Sequence, residues 1–257
     1  MAHTPKTAAP TKRYELVKDD TVKTWDGRTL FRIRALVAIT ALGIAAGDTG
    51  GYVEKEENLS QVSGNAWVYG NARVYGNAWV DGDARVYGDA WVDGNAQVSG
   101  NAWVYGNARV YGNARVDGDA RVYGDARVYG DAWVDGNAWV YGNAWVDGNA
   151  WVDGDARVYG DAWVYRCNHL GWFSCVGSEN GTLCWFLQKD RTVMVSRGCF
   201  SGSLEQFGAA VQDRHGDSPD GQQYRLLIQF IELRSTEALK DYAPVEDESE
   251  HAAEKVA

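Results

Sequence analysis

The sequence predicts an all-β solenoid: a parallel β-helix of about six triangular coils, entered through a β cap and followed by a small α+β module. Three observations predict it. Residues 64–165 are one hexapeptide, GNAWVY and its variants, written seventeen times without a gap. Within it the Ala and the Val never vary, while the residue between them is Trp or Arg, with Gln once. Sorted by eighteen rather than by six, the variable positions fall into columns.

Each observation has a physical cause. In Ala-Trp-Val-Tyr small and large side chains alternate, so an extended segment points Ala and Val inward and the bulky residues outward. Gly followed by Asn or Asp supplies the turn, since both tolerate left-handed backbone angles and the Asn or Asp side chain can bond nearby backbone. A short fixed period signals a solenoid whose repeats stack on their neighbours. Three hexads per coil bring residues eighteen apart to the inter-strand spacing of about 4.8 Å. The column after Val then reads Tyr69, Tyr87, Tyr105, Tyr123, Tyr141 and Tyr159, unbroken. Before Val, Trp67, Arg85, Trp103, Arg121, Trp139 and Arg157 alternate, as do Asn65, Asp83, Asn101, Asp119, Asn137 and Asp155 at the turn. A third column, Asp81, Ser99, Asp117, Asp135 and Asp153, holds no aromatic and reads as the solvated side. Interleaved Asn separates carboxylates that would repel, and Arg between Trp rings gains cation–π contact.

The other segments follow in order. Residues 1–13 are small and basic and are predicted to be disordered. Residues 14–57 read as an N-terminal β cap: Asp26-Gly27 is a hairpin turn, and Phe31, Ile33, Leu36 and Val37 are too apolar for solvent. Such a cap is needed because an open coil end is a row of unpaired strand edges. NLSQVS, residues 58–63, reads as an imperfect first hexad with Val62 in register, which sets the β-helix at 58–165. Residues 166–236 read as an α+β module with strands in GWFSCVG, GTLCWFLQ and RTVMVSRG. There Ser203 N-caps a helix with Gln206 in a capping box and Leu204, Phe207, Ala210 and Val211 as the buried stripe. A second helix follows Asp220, with Tyr224, Leu227, Ile228 and Ile231 on one face. Residues 237–257 form an acidic tail predicted to be disordered.

Composition narrows the function. A net charge of −10 argues against a nucleic acid polymer as partner, since counterion release needs a basic stripe. No apolar run reaches the length of a membrane span, and the first residues lack a signal-peptide core, so a cytoplasmic protein is expected. Cys167, Cys175, Cys184 and Cys199 contain no CxxC pair and read as buried free thiols; neither metal nor cofactor is expected. The coils hold no Lys and no Glu. A face of Trp67, Trp103 and Trp139 with the six Tyr residues is a larger apolar strip than monomers expose, and it predicts a homotrimer packed through that face.

Val68 with Ala72, and so on to Val158 with Ala162, give an aliphatic residue every six and a small residue four places later. This pattern resembles the hexapeptide-repeat left-handed parallel β-helix family, and left-handedness is implied by that resemblance. Many members are acyltransferases with a coil His and an extruded loop, whereas the four histidines, His3, His169, His215 and His251, lie outside the repeat and no insertion interrupts it.

The one local constellation that points to a ligand is RGCFSGS: Arg197, Gly198, Cys199, Phe200, Ser201, Gly202 and Ser203. It leads into a helix N-terminus, which favours an anion, with Arg197 for charge and Phe200 for stacking. With WDGRTLFRIRAL, GDTGGYVEKEENLS and GSENGT, the layout over residues 14–233 resembles phage and prophage β-helix proteins. That resemblance implies a non-enzymatic protein of the bacterial host cytoplasm. It would sequester a small anionic signalling nucleotide, of the cyclic nucleotide or cyclic ADP-ribose type, and so counter bacterial immunity. A hexapeptide-repeat acyltransferase is the alternative reading, and a structural scaffold protein the second alternative.

Overall fold

A computed structural model describes residues 12–62, 64–240 and 242. Two compact units divide at residues 167 and 168. In the first, β1 (Tyr14–Lys23) and β2 (Thr29–Ala35) form an antiparallel hairpin, and β2 pairs with β3 (Thr49–Val53). Seventeen two-residue strands follow, one per hexad, from β4 (Trp67–Val68) to β20 (Trp163–Val164). In the second unit, β21 (Leu170–Val176), β22 (Gly181–Leu187), β23 (Val193–Arg197) and β24 (Phe200–Ser203) precede α1 (Leu204–His215) and α2 (Pro219–Lys240).

Every third hexad strand is a parallel neighbour, so the body is a parallel β-solenoid with three sheets. Trp103 pairs with Arg85 and Arg121, and Arg109 with Trp91 and Arg127, which is the spacing of eighteen. The strands are shorter than the four residues that alternation suggests, yet pairing continues past them. Asn101 N–H donates to Gly118 O at 2.7 Å, Trp103 to Ala120 at 2.9 Å and Tyr105 to Val122 at 2.9 Å. All seventeen repeat Ala and all seventeen repeat Val are at most 2% exposed, which makes the lumen as expected.

The turn departs from the prediction in one respect. Glycine alone takes the left-handed angle, with φ between 58° and 74° in the seventeen hexads, while none of the repeat Asn or Asp does. Stacking adds a second demand: a Cβ on Gly118 would lie 2.9 Å from the backbone N and O of Gly136 in the next coil. The freed Asn and Asp side chains bond along the solenoid instead.

The entry to the solenoid corrects the first hexad. Val62 is 76% exposed, whereas Leu59 is buried and bridges Val80 in parallel. Val53 pairs with Val74. Both pairs are 21 residues apart rather than eighteen, so Val53 and Leu59 keep the hexad spacing and three extra residues precede the first full coil. Two contacts set this register: the Tyr14 hydroxyl donates to Leu59 O at 2.7 Å, and the buried Asn58 amide donates to Ala78 O at 2.8 Å. The sheet of β1–β3 thus continues into the second solenoid face. Leu36, expected inside, is 42% exposed. Lys12 and Arg13 are placed by Glu56 and Gln61 rather than disordered; residues 1–11 lie outside the described residues.

The second unit has an antiparallel sheet of order β21-β22-β23-β24. Its core is Leu183, Trp185, Val195, Phe207, Val211, Tyr224 and Ile231. The predicted capping box is present: Ser203 Oγ accepts from Gln206 N–H at 3.2 Å, and Gln206 Oε1 accepts from Ser203 N–H at 2.9 Å. Helix α2 runs four residues past the predicted module boundary to Lys240; of the predicted tail only Tyr242 is described beyond it.

Candidate functional site

The first solenoid face presents one continuous aromatic column. Tyr87, Tyr105, Tyr123, Tyr141 and Tyr159 stack with ring centroids 4.7–5.2 Å apart and planes within 16° of parallel. The coil rise causes this, because it equals the separation that offset aromatic rings prefer. Tyr69 ends the column edge-on to Tyr87 at 6.4 Å. Burial pushes the phenols of Tyr87, Tyr105 and Tyr123 above their ordinary range.

Beside it, Arg121 lies between two Trp rings, while Arg85 and Arg157 each meet one. Arg121 is 5.1 Å from Trp103 and 5.0 Å from Trp139, and Arg157 is 5.1 Å from Trp139. Trp103 and Trp139 are half-buried and remain on the face. Trp67 does not: it is 1% exposed beneath Tyr14 of the cap, their centroids 6.3 Å apart, so it is withdrawn from the predicted oligomer interface. At the corner, amides and carboxylates form a directed ladder. Asn101 Nδ2 donates to Asp119 Oδ1 and Asn107 Nδ2 to Asp125 Oδ1, both at 2.9 Å. The alternation in sequence is therefore donor over acceptor, a stronger reason than the spacing of like charges.

The RGCFSGS residues are brought together, but, Ser203 apart, in roles the sequence did not indicate. They form the tight β23–β24 hairpin, with Arg197 opposite Phe200, Ser201 opposite Ser196 and Gly202 opposite Val195. The Arg197 Nη2 donates to Val176 O at 2.7 Å, and its guanidinium lies over Gly181. Phe200 is partly buried and packs against the core, on Phe207 at 5.1 Å. Ser203 closes the capping box, which occupies the helix end. Gly198, with φ of 59° and open space around it, and exposed Cys199 form the free tip. Of the four thiols only Cys184 is buried, contrary to expectation, since the other three sit at turns and strand ends. His169 is fully buried, 5.2 Å from the Tyr242 ring. Among the described residues there is no cluster of His, Cys, Asp and Glu able to hold a metal, and no helix long and apolar enough to cross a membrane.

Comparison with known families agrees with this geometry. A YdcK β-solenoid repeat model matches residues 66–82, 96–109, 108–124 and 120–136, all within the hexad body. The chain is similar to those repeats over these stretches. No curated protein matches it.

Proposed function

We propose that the chain is a non-enzymatic binding protein that works as a homotrimer, joined through the face carrying Tyr69 to Tyr159. The carrying observation is the parallel Tyr column beside its Arg–Trp stacks. Ring faces are covered by neighbouring rings, so the column presents half-exposed edges and hydroxyls over five rises of about 4.8 Å. Tyr, Trp and Arg without Lys or Glu is the composition enriched in interface cores. Because the rings are already ordered by stacking, docking a second copy costs little side-chain entropy. The test is light scattering of the chain with Tyr105→Lys, Tyr123→Lys and Trp103→Lys combined. The expected outcome is a fall to the 28.3 kDa monomer with the far-ultraviolet circular dichroism retained; an unchanged mass removes the interface from this face.

Sequestration of a small anionic nucleotide against bacterial immune signalling is the narrower form of the reading. Its support is the resemblance in layout and the Arg197 Nε, which is buried without a hydrogen-bond partner. It requires Arg197 to release Val176 or to use that remaining donor. Calorimetric titration with cyclic mono- and dinucleotides and cyclic ADP-ribose tests it. Arg197→Ala is expected to weaken binding roughly ten- to a hundredfold, as for a lost charge-assisted contact, and the absence of heat with every ligand rejects the nucleotide.

A further inference from the structure

A separate cleft of about 340 Å³ opens where the hairpin turn of the cap meets the second solenoid face. Its ionic groups are largely closed on one another. Arg28 Nε bonds Asp26 at 2.7 Å and its Nη1 reaches Glu54 at 3.2 Å, while Glu54 also accepts from Gly76 N–H at 2.7 Å. Lys55 Nζ donates to Asn77 Oδ1 at 3.2 Å.

Two polar groups stay outside these pairs. Tyr75 lines the cleft and is 4% exposed, and its hydroxyl, between the Asp93 carboxyl and the Trp25 indole, completes a hydrogen bond of normal geometry with neither. A buried hydroxyl without a partner is unfavourable and uncommon. Asp93 makes no ion pair among the described residues, and burial pushes its carboxyl above the ordinary range. At the rim the Trp25 ring is 76% exposed. It sits at the tip of a hairpin turn, where a large apolar side chain contributes nothing to the core.

These features select the ligand. A cation would meet Arg28 and Lys55, and an anion would meet Asp26, Glu54 and Asp93, so the occupant is neutral. Donors and acceptors are both offered, so it carries hydroxyl groups, which do both. The open indole asks for an apolar face beside them. A pyranose combines a C–H face with a rim of hydroxyls, and a cleft of this volume lies in the range of small-ligand sites. We propose that the cleft is a saccharide-binding site in which Trp25 stacks on a sugar ring and Asp93, backed by Tyr75, bonds neighbouring hydroxyls. The site is on the second face and does not depend on the subunit interface.

Saturation-transfer nuclear magnetic resonance on the full chain, with maltose, lactose, cellobiose and diacetylchitobiose as probes and putrescine as the cationic control, tests this. At least one disaccharide should receive saturation, and Trp25→Ala and Asp93→Asn should each weaken its binding roughly tenfold, the loss of one good contact. Trp25 is exposed and Asn matches Asp in shape, so both variants should keep the native circular dichroism. No transfer to any disaccharide, or transfer unchanged in both variants, overturns the proposal. Binding of putrescine alone, lost in Asp93→Asn, would make this a cation site and overturns it equally.

Discussion

In the hexad body no lumen-facing side chain is larger than Val, and the lumen is lined by the same two residues in every coil. In the C-terminal module one core cluster joins seven side chains, among them Trp185, Phe207 and Tyr224. The body spreads its stabilisation over many equivalent contacts, since each repeat touches only its neighbours. The module concentrates it. The large aromatics of the coils lie outside the lumen, whereas Trp185, Phe207 and Tyr224 fill the interior of the module. One chain therefore holds two ways of using the same residue types, and substitutions should separate them.

The largest effect is expected at Trp185, 1% exposed at the centre of the module sheet. Trp185→Ala should cost about 3–5 kcal/mol and abolish the helical signal of α1 and α2 while the β signal of the coils persists. Val122→Ala, fully buried in the lumen, should cost only about 1.5 kcal/mol, two methyl groups' worth. Denaturant titration followed by circular dichroism measures both. Equal losses would break the contrast between concentrated and distributed cores.

A pair of glycines sharpens it. Gly118 in the body and Gly198 in the module both have left-handed backbones, with φ of 64° and 59°. A Cβ on Gly118 meets the Gly136 backbone at 2.9 Å, while one on Gly198 meets nothing within 4 Å. Gly198→Ala should cost only the backbone penalty, about 1–2 kcal/mol, and Gly118→Ala that penalty plus overpacking, about 2–5 kcal/mol in all. Melting temperatures of the two variants decide this; a larger loss at Gly198 would mean that coil stacking gives way freely.

The same contrast explains what was legible in the sequence. In the body, position in the hexad fixes direction and position in the eighteen fixes the neighbour, so the lumen, the Tyr column and the Arg–Trp stacks could be read directly. Legibility ends where contacts reach across the chain. Leu59 and Val62 are both aliphatic and three residues apart, and the choice between them is made by the Tyr14 hydroxyl, 45 residues upstream. Trp67 looks like Trp103 and Trp139 but lies under that same tyrosine. In the module, the capping box of Ser203 and Gln206 is local and was readable, whereas the capture of Arg197 by Val176 follows from strand pairing that no short motif encodes. Tyr75 and Asp93 occupy the same column, eighteen residues apart, so their proximity was available; what was missing was Trp25, brought to them by the hairpin.

The smallest effect expected belongs to the corner ladder. Asn101 Nδ2 donates to Asp119 Oδ1 at 2.9 Å, and both residues are exposed. Asn101→Asp removes the donor and leaves three carboxylates at successive coil rises, at positions 83, 101 and 119, which should cost about 0.2–1 kcal/mol for each of the two like-charge contacts. The cost is electrostatic, so it should shrink as salt is raised. It should also vanish on acidification: repulsion raises the folded-state pKa of these carboxylates, the folded state then holds protons more tightly than the unfolded one, and stability is regained as pH falls through the carboxylate range. Asp119→Asn is the control within the body, because amide over amide already occurs where Asn95 donates to Asn113 at 2.9 Å, and it should be nearly neutral. Asn180→Asp is the control in the module: that turn residue has φ of 48°, which Asp tolerates too, and no carboxylate ladder stands behind it. Thermal melts of the three variants at two salt concentrations and two pH values make the comparison. If Asn101→Asp is as neutral as Asn180→Asp at low salt, the alternation of Asn and Asp in the body has another cause.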